Sequence, residues 1–237
     1  MMAAKSASKS DVPSEVDAVG WCIVRCESED AAMEILNAFA LRILPRRAGA
    51  DFEDLKPRER DAAPRGSMSS ITGTGAQPMH TDGAYLPQPP SHIALWCLDP
   101  GEAHCPTHLW PIDTTRLRRD RPNTLTAPVW VAQGGGHAPF YCSLFDATGS
   151  RVRVRFDPFC IRPASGSNLA LDAAKTLLSA YCTGRVDVSW TRYSMLIIDN
   201  WRCLHARGSG GDFSPSRCLR RWSLGVDNGL VVRRSLQ

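Results

Sequence analysis

His92-Ile93-Ala94-Leu95-Trp96-Cys97-Leu98, closed by Asp99-Pro100-Gly101, reads as a short buried strand that ends in a turn. Outward from it the pattern repeats. Thr107–Ile112, Pro128–Gln133, Phe140–Phe145 and Arg151–Phe156 follow, and Val186–Trp190, Ser194–Ile198 and Cys218–Val226 come later; Val19–Arg25 precedes them all. Pro89-Pro90, Gly134-Gly135-Gly136 and Gly149 supply the breaks. Many short strands with regular turns predict a sandwich or barrel. Ala32, Ile35, Leu36, Phe39 and Ile43 fall on one face at helical period, with Glu29 and Asp30 suited to the positive helix start and Pro45 as the stop. Ala170, Ala173, Ala174, Leu177, Leu178 and Tyr181 form a second apolar stripe. The expected fold is mainly β with flanking helices, and within that class a double-stranded β-helix (jelly-roll) core.

A chain of 237 residues suffices for one sizeable core. One domain is expected over 14–237, behind a Ser/Lys/Ala-rich, disordered lead-in over 1–13. The formal charge of +4 permits an anionic small ligand without singling out nucleic acid or membrane. No apolar run approaches the ~20 residues of a membrane span, and the start has no secretory h-region. Nine cysteines are scattered without a C-x-x-C pair, which argues for buried reduced thiols rather than a disulfide framework or zinc site. A reducing cytoplasm fits that usage.

His80-Thr81-Asp82 carries the chemistry. In extended backbone, residues i and i+2 project to one side, so a short segment offers an imidazole and a carboxylate to one ion. Far downstream, the apolar run Met195–Ile198 leads to His205, a third ligand on rigid scaffold. Two histidines and one carboxylate on one face suit Fe(II) and leave positions for a 2-oxo acid and O₂. H-x-D spacing also arises by chance, as a surface histidine beside a turn aspartate. His104 and His108 are four apart, but Pro106 interrupts them and Thr107–Trp110 reads as strand. His92 and His137 are read as structural or exposed.

Gln77-Pro78-Met79-His80-Thr81-Asp82-Gly83-Ala84-Tyr85 resembles the first metal-binding segment of taurine-dioxygenase-like and clavaminate-synthase-like 2-oxoglutarate oxygenases. Asp199-Asn200-Trp201-Arg202-Cys203-Leu204-His205-Ala206-Arg207 resembles their second, a D-N-x-x-x-x-H pattern, and the likeness reaches from about Gly20 to Asp227. The resemblance implies iron at His80, Asp82 and His205. It implies 2-oxoglutarate at Thr107, although His104, Cys105 and Pro106 replace the usual glycines. It also implies a carboxylate-binding arginine at Arg221, with Arg217 as second contact. A planar guanidinium suits such a buried carboxylate, and strand alternation turns Arg217, Leu219 and Arg221 to one side and Arg220 to the other.

The implied activity is oxidation of an unactivated C–H bond, by hydroxylation or desaturation, with release of succinate and CO₂. Asp82 favours oxygenation over halogenation, because halogenating relatives lack the carboxylate. Ala76 stands where some taurine-type relatives carry asparagine, which weakens a taurine-like substrate. A small polar substrate, amino-acid-like or a natural-product intermediate, is expected. Ser69 and Thr72, in the Gly/Ser-rich loop that runs from Lys56 to Pro78, and Tyr85, Arg155 and Asp157 are candidate substrate contacts. By default the alternating Arg151–Phe156 stretch turns its arginines to solvent, and Arg116, Arg118, Arg119 and Arg121 form a solvated turn. Two rival readings stay open: a catalytically degenerate jelly-roll binding module, and, from the basic clusters alone, a nucleic-acid demethylase.

Overall fold

The computed structural model describes residues 11–45, 49–102, 105–147, 152–209 and 215–226. In chain order the helices are α1 (Val12–Val19), α2 (Glu29–Ala38), α3 (Ser69–Thr72), α4 (Thr114–Asp120), α5 (Asn123–Thr126) and α6 (Asn168–Ala180). The first strands are β1 (Trp21–Arg25), β2 (Arg42–Ile43), β3 (Glu53–Leu55), β4 (His92–Asp99), β5 (Thr107–Pro111), β6 (Trp130–Gly134) and β7 (His137–Cys142). The rest are β8 (Phe145–Asp146), β9 (Arg153–Val154), β10 (Ile161–Pro163), β11 (Val186–Val188), β12 (Ser194–Asp199), β13 (Cys203–Arg207) and β14 (Cys218–Gly225).

A six-stranded sheet runs β1-β12-β4-β14-β2, with β3 also on β14, and a three-stranded sheet runs β11-β5-β13. The described pairings are antiparallel. Ile93, Leu95, Cys97, Leu109, Leu196, Ile198, Cys203 and Leu219 fill the space between the two sheets. The opposite face of the large sheet, with Ala94, Trp96, Ile197 and Trp222, is covered by Val12 and Val16 of α1 and by Ala32, Ile35 and Leu36 of α2. That is why β4 and β12 read as continuous apolar runs rather than alternating ones: both their faces are buried. The expected jelly-roll class is what the chain adopts. A second three-stranded sheet, β10-β6-β7, packs with α6 around another core that includes Trp130, Phe145 and Phe156.

Local readings differ from expectation at five places. The α2 stripe stops at Ala38; Ala40 takes φ +50, and Ile43 pairs with Leu224 in the large sheet instead. Ladder bonds to β14 there outweigh helical periodicity. The start of α2 is as read, with Ser28 accepting the Ala31 N–H at 3.1 Å. The Lys56–Pro78 stretch is not structureless, since it holds a 3-10 turn at Arg60–Ala62 and α3. The basic run is mostly helix α4, capped by Asp113 and anchored by buried Leu117. Among the described residues of the alternating stretch only Arg153–Val154 is strand, and Arg155 is buried. Val12 and Pro13 of the expected lead-in belong to α1; residues 1–10 lie outside the described residues, as do His104, Gly149 and Arg151. All nine cysteines are free, and seven are buried. No described helix is long and apolar enough to cross a membrane.

Candidate metal centre

His80 and His205 are paired through their main chains. Each N–H donates to the other's carbonyl at 2.9 Å, which adds the first motif to β13 as an isolated bridge. Residues directly opposite on antiparallel segments bring their side chains together, and the two imidazole centroids lie 4.5 Å apart. Two residues on from His80, Asp82 points the same way: its Oδ1 stands 3.6 Å from His80 Nε2 and 3.8 Å from His205 Nε2. One ligand atom from each of the three lies within 4.8 Å of the others, and all three residues are buried. His80 Nδ1 is 3.0 Å from the Pro78 carbonyl. As a donor there it leaves the Nε2 lone pair facing Asp82.

Arg221, on β14, reaches the cluster directly. It donates to Asp82 Oδ2 at 2.8 Å and to Glu53 Oε2 at 2.7 Å. Burial pushes the Asp82 carboxyl up, but Arg221 and the two imidazoles outweigh it and hold the group well below the usual carboxylate range. Burial pulls His80 down, and Asp82 more than reverses that, so its value is raised. His205 is lowered, by burial and by His80.

Arg217 is 4% exposed. Burial lowers its guanidinium, and among the described residues only the thiols of Cys105, Cys97 and Cys218 act to raise it. Thr107, two residues beyond Cys105, is buried; its Oγ1 accepts the Trp190 indole N–H at 3.1 Å, and its own hydroxyl proton stays available. Arg220 turns to the outer face of the sheet, as the alternation predicts, and pairs with Asp54 and Glu29.

The substrate candidates scatter. Tyr85 lies under the β6–β7 turn, where a Cβ on Gly135 would meet its ring at 2.5 Å, and its ring is tilted against that of His137 with centroids 5.8 Å apart. Asp157 is half-buried, accepts the Phe159 N–H at 2.8 Å and acts on the charge of His80. Thr72 and its neighbours Gly73 and Gly75 are tethered by Arg207, two residues past His205; Ser69 sits half-buried in the same α3 turn. Arg155 does not face solvent: its guanidinium donates to the carbonyls of Ala84, Leu86 and Pro87, behind the metal motif. The α4 arginines Arg116 and Arg119 are largely exposed and share Asp120. Sequence reasoning missed Glu53, which sits in a short stretch without periodicity. It also gave Asn200 no role, although the D-N-x-x-x-x-H pattern marks it.

No family model and no curated protein matches the sequence. Solved structures do. The non-haem iron oxygenase OrfP, in complex with Fe and alpha-ketoglutaric acid, is 17% identical with a TM-score of 0.69, over 92% of this chain and 79% of that one. Asparagine oxygenase, in complex with Fe(II), 3-hydroxyasparagine and succinate, is 14% identical with a TM-score of 0.67, over 91% of this chain and 77% of that one. The chain has the fold of these iron oxygenases. At such identities the likeness concerns fold alone, and what the side chains do rests on their own geometry.

Proposed function

We propose that the chain is an Fe(II)- and 2-oxoglutarate-dependent dioxygenase that oxidises an unactivated C–H bond of a small, amino-acid-like metabolite, by hydroxylation or desaturation. One observation carries the reading. Among the described residues, the buried side-chain nitrogen and oxygen atoms left without a hydrogen-bond partner are His205 Nδ1 on β13, Arg221 Nε on β14 and Arg217 Nε just before β14. Buried polar groups are otherwise paired; His205 would hold the ion through Nε2, the nitrogen nearer Asp82, so it is the two guanidinium nitrogens that mark where anionic ligands belong. Two imidazoles and a carboxylate fit Fe(II).

His80, Asp82 and His205 hold the ion. Bound there, iron supplies the activation of O₂ coupled to conversion of the co-acid to succinate and CO₂. The two arginines exchange the roles expected of them. Arg221 is already engaged by Asp82 and Glu53. Arg217, buried without a described carboxylate, is the stronger anchor for the distal carboxylate of 2-oxoglutarate, with the Thr107 hydroxyl as second donor. Arg221 and Glu53 set a cation and an anion side by side next to the metal ligands, a pair complementary to an α-carboxylate and an α-ammonium. OrfP with L-Arg and asparagine oxygenase with hydroxyasparagine are relatives in fold that take such ligands. Tyr85 and Asp157, near the cluster, are assigned to the wall of the substrate cavity, and Ser69 and Thr72 to its rim. Arg155 is left out, since its guanidinium is spent on main-chain carbonyls.

The test is succinate formation from 2-oxoglutarate with Fe(II) and a panel of free amino acids. Succinate release stimulated by an amino acid, and abolished in His205→Ala, is the expected result. Absence of iron-dependent turnover with every amino acid, or turnover retained in His205→Ala, refutes the reading.

A further inference from the structure

The three residues of the metal motif are held in different ways. His80 exchanges two main-chain bonds with His205. Thr81 donates its N–H to the Phe156 carbonyl at 2.7 Å, and its hydroxyl accepts the Phe156 N–H at 3.1 Å. Among the described residues, Asp82 has no strand beside it. Gly83, at φ +69, turns the chain away, and a Cβ there would meet Pro90 at 2.9 Å. The Asp82 main chain finds its described partners in one side chain, that of Asn200. Asn200 Oδ1 accepts the Asp82 N–H at 2.7 Å, and Asn200 Nδ2 donates to the Asp82 carbonyl at 3.0 Å. The second Nδ2 proton goes to the Pro90 carbonyl at 2.8 Å, and the Asn200 N–H to the Ser91 carbonyl at 2.9 Å.

Asn200 is 0% exposed and both its side-chain protons are used. The turn that carries it is fixed as well. Asp199 Oδ1 accepts the N–H groups of Trp201 and Arg202 at 2.9 and 3.2 Å. The Arg202 guanidinium pairs with Asp199 and donates to the Val16 and Asp17 carbonyls near the end of α1, each at 2.9 Å.

We propose that Asn200 is a positioning residue for the metal-binding carboxylate. Its amide substitutes for the missing strand, bracketing the Asp82 main chain so that Oδ1 stays turned toward His80 and His205. The inference rests on the metal reading above and deepens it. It ties the carboxylate to the β12–β13 turn that leads into His205, so that one rigid turn aims two of the three ligands. A misplaced ligand of this kind weakens metal binding by about 10–100-fold.

Asn200→Asp separates geometry from charge. The near-isosteric carboxylate keeps an acceptor for the Asp82 N–H but sets an oxygen against the Asp82 and Pro90 carbonyls, which turns that half of the bracket repulsive. It also adds a negative charge close to the ion, which by through-space attraction alone tightens binding.

The experiment titrates the full chain with Co(II) under argon, following visible absorption and the dissociation constant. Wild type is compared first with His205→Ala. If wild type fails to bind, or His205→Ala binds equally well, the metal reading itself is wrong, whatever Asn200 does. If that pair behaves, Asn200→Asp and Asn200→Ala are titrated, with circular dichroism and thermal midpoints confirming that both fold. The expected result is affinity lower by about 10–100-fold in both variants, with an altered Co(II) spectrum. Wild-type affinity and spectrum in Asn200→Asp, or tighter binding, overturns the proposal. If neither variant folds, amide exchange in wild type decides. The Asp82 N–H exchanges as slowly as that of His205 if the bracket holds it, and exchange at the rate of an exposed loop overturns the proposal.

Discussion

Arg155 and Arg217 are both arginines buried to within 4% exposure, and they sit in two regions built on opposite terms. Arg155 belongs to the outer half, beside the β6–β7 hairpin. Burial pushes its guanidinium down to about 10, yet the side chain satisfies the carbonyls of Ala84, Leu86 and Pro87 and lies over the Phe140 ring at 5.2 Å. Arg217 immediately precedes β14, which carries Arg221 to the His80–Asp82–His205 cluster, and its Nε has no partner among the described residues. Both remain charged near neutrality. The outer half spends its buried cation on the chain's own backbone, whereas the inner half holds one in reserve. Burial alone therefore does not distinguish the two arginines; satisfaction of the guanidinium does.

The largest effect expected is on the ligand side. His205→Ala should reduce Co(II) or Fe(II) binding and 2-oxoglutarate turnover to background, while Arg155→Met keeps measurable metal affinity. Isothermal titration of the two variants side by side checks this. If Arg155→Met lost metal as completely as His205→Ala, the division between the halves would fail.

The arginines themselves give the next contrast. Arg217→Met should raise the KM for 2-oxoglutarate about 100-fold, in line with the roughly 2–5 kcal/mol lost when one partner of a buried charge pair is truncated. Its unfolding free energy should hold or rise, because an unsatisfied buried charge is replaced by an apolar chain. Arg155→Met should do the reverse. The buried Ala84 carbonyl and the part-buried carbonyls of Leu86 and Pro87 lose their donor, at about 1–3 kcal/mol for a buried group left unsatisfied, so stability should drop by about 1–3 kcal/mol with little change in 2-oxoglutarate KM. Urea unfolding and steady-state kinetics on both variants decide it. Equal KM effects would erase the distinction.

How much of this was legible follows the same division. The sandwich was readable because β4 and β12 are buried on both faces and carry unbroken apolar runs. The alternation of β14 also predicted that Arg220 faces away from Arg221, since side-chain direction in a strand has a fixed period. Arg155 was misread because period-two alternation assumes a strand with one wet face. Only Arg153 and Val154 are strand there, and the loop 84–87 folds over the side expected to be exposed. Glu53 gave no signal, because a three-residue edge strand is too short to show a pattern. Asn200 lay in full view within a motif, but its role depends on contacts more than one hundred residues away in the chain, which no local pattern encodes.

The smallest expected effect is on pH dependence, and it too sorts the halves. Asp82 is held well below the usual value of 3.8, chiefly by Arg221 against the opposing effect of burial. A depressed carboxyl contributes stability that is present above the unfolded value and is lost as pH falls through the folded one. His80 has the opposite sign. Its value is raised above 6.5 by Asp82, so its contribution is complete below 6.5 and fades as pH climbs through the raised value. Metal-free protein should therefore lose stability on the acid side through Asp82, and Asp82→Asn should flatten that limb. Arg155→Met should lower the whole curve without changing its shape, because a guanidinium stays charged throughout this range. Urea midpoints measured from about pH 2 to 8 in the presence of a chelator resolve the two shapes. An Asp82→Asn curve parallel to wild type would mean that Arg221 stabilises the fold through Glu53 alone, and that the carboxylate of Asp82 carries no share of the pairing.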